Sequence, residues 1–137
     1  MQREDSSYPP DWLRIAERDW SRVTMLLDEG DVELAGFCLQ QAMEKFLKAF
    51  LLSHGWKLRR IHSLDSLLDD AITFDSMLEK YRDMCQKITA FYFAERYPFT
   101  ADYRLEQEHV RGAFDQVKEL IEKLRKQIAG RDSQDQP

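Results

Sequence analysis

From Asp11 to Tyr97 the chain contains no proline; the four prolines stand at 9, 10, 98 and 137. A proline inside a helix removes a backbone donor and clashes with the preceding turn, so this long interval is free to be helical. Leucine occurs 16 times against 10 for valine and isoleucine together, a bias that favours helices over strands. The chain therefore reads as all-α, and the remaining question is where each helix starts and stops.

Apolar spacing answers most of it. Trp12, Ile15, Ala16, Trp20, Val23, Leu26 and Leu27 recur at three- and four-residue intervals and predict a helix over 11–29. Gly30 suits its left-handed end, and Asp31 can cap the next helix. That second helix, 32–54, is apolar around more than half its circumference, from Leu34 through Phe37, Phe46 and Phe50 to Leu52. One neighbour cannot bury so wide a face, so the helix is either central or part of a dimer interface. Gly55 ends it. Ser63 can cap a short helix ending near Phe74. A fourth helix is predicted to follow Asp75, where Ser76-x-x-Glu79 has the form of a capping box. It stops ahead of Pro98. The fifth is predicted over 105–128, with Val110, Phe114, Val117, Ile121, Leu124 and Ile128 on one side. The expected architecture is an up-and-down bundle of four long helices and one short one over 11–128. Residues 1–10 are expected to be flexible, and 129–137 to form a disordered tail.

Charge narrows the partners. The chain has 137 residues, 33% of them charged, and a net charge of −5. This is a globular composition, too acidic for a broad nucleic-acid-binding face. The longest run without Asp, Glu, Lys or Arg is Leu34 to Met43, far short of the roughly 20 residues of a membrane span. No secretory leader is visible, and two cysteines, Cys38 and Cys85, fit a reducing compartment. A cytoplasmic location is expected, with no membrane partner. No glycine-rich phosphate loop and no metal-ligand motif occurs, so no cofactor is implied.

Four features could carry chemistry. Gln41, Lys45 and Lys48 stand at i, i+4 and i+7 on the second helix, with Gln40 and Glu44 beside them. They form either a solvated edge with a Glu44–Lys48 surface pair or an ordered surface facing a phosphate or a partner. Asp19 on the first helix could pair with one of the lysines. The second feature is Tyr92-Phe-Ala-Glu-Arg-Tyr-Pro98, in which Arg96 could grip phosphate and Tyr97 could stack on a base; alternatively, it is a helix stop. The third is the basic loop Lys57-Leu-Arg-Arg-Ile-His62, whose His62 could orient the following turn. The fourth is Arg104-Leu-Glu-Gln-Glu-His109. Arg104 could hold a phosphate and His109 could move a proton, although about one such pair arises by chance in a chain of this composition.

Taken together, Gln40-Gln-Ala-Met-Glu-Lys-Phe-Leu-Lys-Ala-Phe-Leu51, His62-Ser-Leu and Arg96-Tyr-Pro98 resemble the HEPN domain family, and Ala16-Glu-Arg-Asp19 fits its first helix. The resemblance spans about Trp12 to Ile128 and is strongest to the Arg-Tyr-Pro subgroup. It implies a small helical bundle, usually dimeric, often acting beside a small nucleotidyltransferase in a toxin–antitoxin or defence-type pair. Some relatives are metal-independent ribonucleases marked by an arginine and a nearby histidine at the start of the last long helix, apposed across a dimer. Arg104 and His109 match that mark, but Leu105 stands where a polar residue is frequent and Arg111 where some carry tyrosine.

The expectation is a nucleotide- or RNA-binding module, homodimeric, contacting its ligand or a nucleotidyltransferase partner through Asp19, Lys45, Lys48, His62, Arg96 and Tyr97. The alternatives are a metal-independent ribonuclease using Arg104 and His109, and a non-catalytic dimerisation or adaptor domain.

Overall fold

The structure is a computed structural model in which residues 6–96 and 105–134 are described. Among the described residues, five α-helices occur in the order α1 (Pro9–Asp28), α2 (Val32–Ser53), α3 (Leu64–Ile72), α4 (Arg82–Arg96) and α5 (Gln107–Gln134). A 3₁₀ segment, Ser76–Tyr81, leads into α4. The all-α bundle expected from the sequence is the one observed.

Local chemistry sets the boundaries. Pro9 and Pro10 open α1, where a missing N–H costs nothing. Gly30 and Gly55 both have φ +83°, the left-handed region that glycine enters without strain. The Asp31 carboxylate accepts from the Leu34 amide and caps α2; the Ser63 hydroxyl does the same for Ser66 and α3. At the next start the expected capping box does not form. Asp75 accepts from the Met77 amide, and Glu79 turns instead to Arg82, at 2.7 Å.

Fifteen of the 22 residues of α2 are buried, and the helix packs against α1, α3, α4 and α5. Its wide apolar face is therefore satisfied within one chain, which removes the sequence argument that a dimer is needed to cover it. Phe46, Leu47, Phe50 and Leu51 are fully buried, and each such side chain stabilises the fold by roughly 1.5–3 kcal/mol. Trp20 stacks on Phe114 at 4.1 Å and meets Phe46 edge-on at 6.4 Å, joining α1, α2 and α5. The crossing of α2 and α4 is tighter: a Cβ added at Gly36 would lie 2.8 Å from Phe91 Cβ.

Where they are described, both ends differ from expectation; residues 1–5 and 135–137 lie outside the described residues. Ser6 is buried; its hydroxyl bonds Asp11 at 2.7 Å, and its carbonyl accepts from Trp12 Nε1 at 2.7 Å. The segment just before α1 is thus docked on the bundle. Helix α5 continues through Gly130 to Gln134, beyond the predicted end at Ile128, because Arg131 Nε donates to the Ser53 carbonyl at 2.6 Å. Helix α5 also clasps the turn before the 3₁₀ segment, with Gln127 and Lys123 reaching Asp75 at 3.0 and 3.2 Å.

Candidate functional site

The polar stripe of α2 is not a solvated edge. Glu44 and Lys48 are each only 2% exposed, and Lys48 Nζ lies 3.3 Å from Glu44 Oε2. The burial is tertiary in origin: the buried Trp12 of α1 covers Lys48, with the ammonium 5.0 Å from the ring centroid. Lys45 also reaches Glu44 Oε2, at 3.2 Å. So does His62 Nδ1, at 3.2 Å, from the loop before α3. One carboxylate therefore gathers three of the basic groups that the sequence singles out.

The glutamines extend this centre. Lys45 Nζ donates to Gln41 Oε1 at 3.0 Å, Gln41 Nε2 to Gln40 Oε1 at 2.6 Å, and Gln40 Nε2 to Glu44 Oε1 at a longer 3.5 Å. With the Lys45–Glu44 contact, these four side chains of α2 close a ring. Helical spacing makes this possible, since residues four apart stand above one another on one face.

Electrostatics follow from the geometry. Burial acts most strongly on Glu44 and would raise its pKa. Lys45, Lys48 and His62 together outweigh burial and hold the carboxyl below its ordinary value. Asp19 behaves oppositely: burial raises its pKa, and the charges of Lys45, Arg22 and Arg18 offset this only in part. Its ion pair is with Arg22, at 3.6 Å, while Lys45 is the largest charge acting on it.

A cleft of about 550 Å³ opens beside the ring. Gln40, Gln41 and Glu44 form one wall, His62 and Ser63 another, and Phe37, Thr89, Tyr92 and Phe93 a third. Phe37 and Tyr92 stack at 5.5 Å and 26°, and Phe93 stands edge-on to Tyr92. The cleft thus pairs a flat aromatic wall with a charged polar wall. The sequence reading selects Lys45, Lys48 and His62 as ligand contacts and names Glu44 only as a neighbour of the lysines, not as the residue that unites them. Gln41 and Tyr92 are named there too, in the polar stripe and in the tyrosine-rich helix end, but not chosen among the ligand contacts. The available signal was spacing: 40, 44 and 48 lie on one line of the helix and 41 and 45 on the next.

Of Arg96, Tyr97, Arg104 and His109, only His109 has a described side chain. Arg96 ends α4, but its side chain lies outside the described residues, as do Tyr97 and Arg104 in full. His109 is half-buried in the first turn of α5, and its Nδ1 accepts from the Glu106 amide at 3.1 Å. That nitrogen thereby serves the helix terminus, which places the proton of the neutral ring on Nε2. Both cysteines are buried, and burial pushes the Cys85 thiol up to about 12, so it is no nucleophile near neutral pH. Among the described residues, no group of three His, Cys, Asp or Glu side chains could hold a metal ion. No described helix is long and apolar enough to cross a membrane.

Comparison with known proteins agrees with this architecture. The HEPN domain model matches residues 10–127. The crystal structure of an archaeal HEPN homologue superposes with a TM-score of 0.64 at 25% identity, covering 88% of this chain and 98% of that one. No curated protein matches the chain. With residues 10–127 matched by the family model, and with the fold shared at that TM-score, the chain belongs to the HEPN domain family.

Proposed function

We propose that the chain is a nucleotide- or RNA-binding module and that the cleft between α2, α4 and the start of α3 receives one nucleotide unit. The observation that carries this reading is the juxtaposition of the Phe37–Tyr92 stack with the Glu44 cluster across one cleft. Aromatic faces hold bases by stacking, worth roughly 1–3 kcal/mol per base. Donors fixed by Glu44, principally on Lys45, Gln41 and His62, suit the polar end of such a ligand. A confined site also fits a chain of net charge −5, which has no general attraction for polyanions. The family's habit of acting as a dimer beside a small nucleotidyltransferase supports the same arrangement for this chain, in the cytoplasm, in a toxin–antitoxin or defence-type pair. Arg96, Tyr97 and Asp19 stay proposed as ligand contacts on the sequence pattern alone.

Titration of labelled ATP, GTP and a short RNA at low and moderate salt tests the reading. Saturable binding that weakens in Tyr92→Ala and Lys45→Met variants is expected. Absence of binding to all three, with and without a co-purified partner, would sink it.

A further inference from the structure

The ring on α2 has a direction that its ends impose. An ammonium has hydrogens and no lone pair, and an ionised carboxylate has lone pairs and no hydrogen. Lys45 must therefore meet the oxygen of Gln41, not its nitrogen, as observed at 3.0 Å. Gln41 then has only its nitrogen to offer Gln40, at 2.6 Å, and Gln40 only its nitrogen to offer Glu44. Neither amide can flip without setting two donors or two acceptors against each other. Glu44 stays ionised through this, since its pKa is held low by the surrounding cations.

The consequence falls on Gln41, which is half-buried at the cleft wall, unlike the buried Gln40. Its oxygen already has a donor, while its nitrogen spends one hydrogen in the ring and keeps the other. Lys45 is 16% exposed at its side chain and spends two of its three hydrogens, on Gln41 and Glu44. We infer that Gln41 is a specificity-determining residue: its locked amide, with Lys45 behind it, selects a ligand that carries an anionic oxygen. That ligand is a nucleoside phosphate, taken in preference to the uncharged nucleoside. This rests on the reading that the cleft binds a nucleotide. The aromatic wall holds the ring in either case, so the discrimination lies on the α2 side. A hydrogen bond to a charged acceptor contributes about 1.5–3 kcal/mol, so the preference is about tenfold or more.

The test measures AMP, adenosine and inorganic phosphate by calorimetric titration on the full chain, in the wild type and in Gln41→Glu and Gln41→Leu. In the wild type AMP binds about tenfold tighter than adenosine or more, and inorganic phosphate binds more weakly than AMP. In Gln41→Glu the outward donor becomes an acceptor, and the AMP-to-adenosine ratio falls to about one. Gln41→Leu removes the donor without adding charge, and the ratio falls there too. That variant decides the matter if Gln41→Glu fails to fold by circular dichroism. A ratio unchanged in the folded variants overturns the role of Gln41 and leaves nucleotide binding standing. Inorganic phosphate binding as tightly as AMP overturns selection of a nucleotide. No binding of AMP or adenosine to the wild type overturns the cleft reading itself, and this inference with it.

Discussion

Lys48 and Glu44, four residues apart on α2, form an ion pair at 3.3 Å in which each side chain is 2% exposed. Removing one partner of such a pair leaves the other charge buried, at a typical cost of about 3–5 kcal/mol. Here Lys45 and His62 also serve Glu44, so Lys48→Met is expected to cost about 2–3 kcal/mol. The double variant Glu44→Gln, Lys48→Met should be less destabilised than the sum of its single changes. Urea denaturation of the four proteins measures the coupling, and strict additivity would show the pair to be energetically idle.

Acid should weaken the fold through the same carboxylate. The folded pKa of Glu44 lies below its ordinary value of 4.5. Its contribution is therefore complete above that value and is lost as pH falls through the folded pKa. The stability gap between wild type and Glu44→Gln is expected to be widest near neutrality and to narrow below pH 4.5. Urea midpoints measured from pH 7 to pH 3 follow it; a gap independent of pH contradicts the assignment.

His54 also weakens the fold in acid, but at higher pH. Its ring lies between Phe50 and Phe74, at 4.5 and 4.8 Å, and its Nε2 is buried with no hydrogen-bond partner among the described residues. Burial, and then the charge of Arg131, push its pKa below 6.5. The unfolded chain takes up this proton first, so stability falls as pH drops from 6.5 toward the folded value. His54→Phe should remove that slope and relieve an unsatisfied buried atom, gaining about 1 kcal/mol. Thermal melts at pH 7.5 and pH 5.5 separate the two effects, with the larger gain expected at the lower pH.

Two helical glycines should respond to alanine with opposite signs. At Gly112 an added Cβ meets nothing within 4 Å, so Gly112→Ala gains up to about 1 kcal/mol from helix propensity. At Gly36 the same atom would lie 2.8 Å from Phe91 Cβ, which cannot swing away. Overpacking of this kind costs about 1–3 kcal/mol. Equal shifts in melting temperature for the two variants would mean that α2 and α4 separate freely.

The His109 ring spends Nδ1 on the Glu106 amide, so His109→Ala should cost about 1 kcal/mol as a lost helix-terminal bond. On the binding-module reading, RNA incubated with EDTA survives equally with wild type and variant. EDTA-resistant cleavage present only in the wild type would establish the ribonuclease alternative.

Much of the fold is legible in the residues themselves. Asp31, Ser63, Gly30 and Gly55 act as local signals and need no tertiary context. What is not legible depends on distant partners. Residues 129–137 read as a disordered tail, yet α5 runs on to Gln134 because Arg131 finds the end of α2. Ser76-x-x-Glu79 reads as a capping box, yet Asp75 serves the amide and Arg82, held also by Asp69 at 2.6 Å, claims Glu79. The site divides the same way. The cations could be named from their spacing, but Glu44 and Lys48 have the pattern of a solvated pair, and only the packing of Trp12 and the reach of His62 make them a buried centre.

The four ring residues, Gln40, Gln41, Glu44 and Lys45, occupy less than two turns of one rigid helix. Their mutual geometry is set by helical rise and rotation, not by how loops close. Lengthening a connection, trimming an end or replacing the surface of α5 leaves it where it is. The proposed recognition chemistry is thus a portable block of sequence, and the rest of the bundle can diverge around it as long as α2 stays covered.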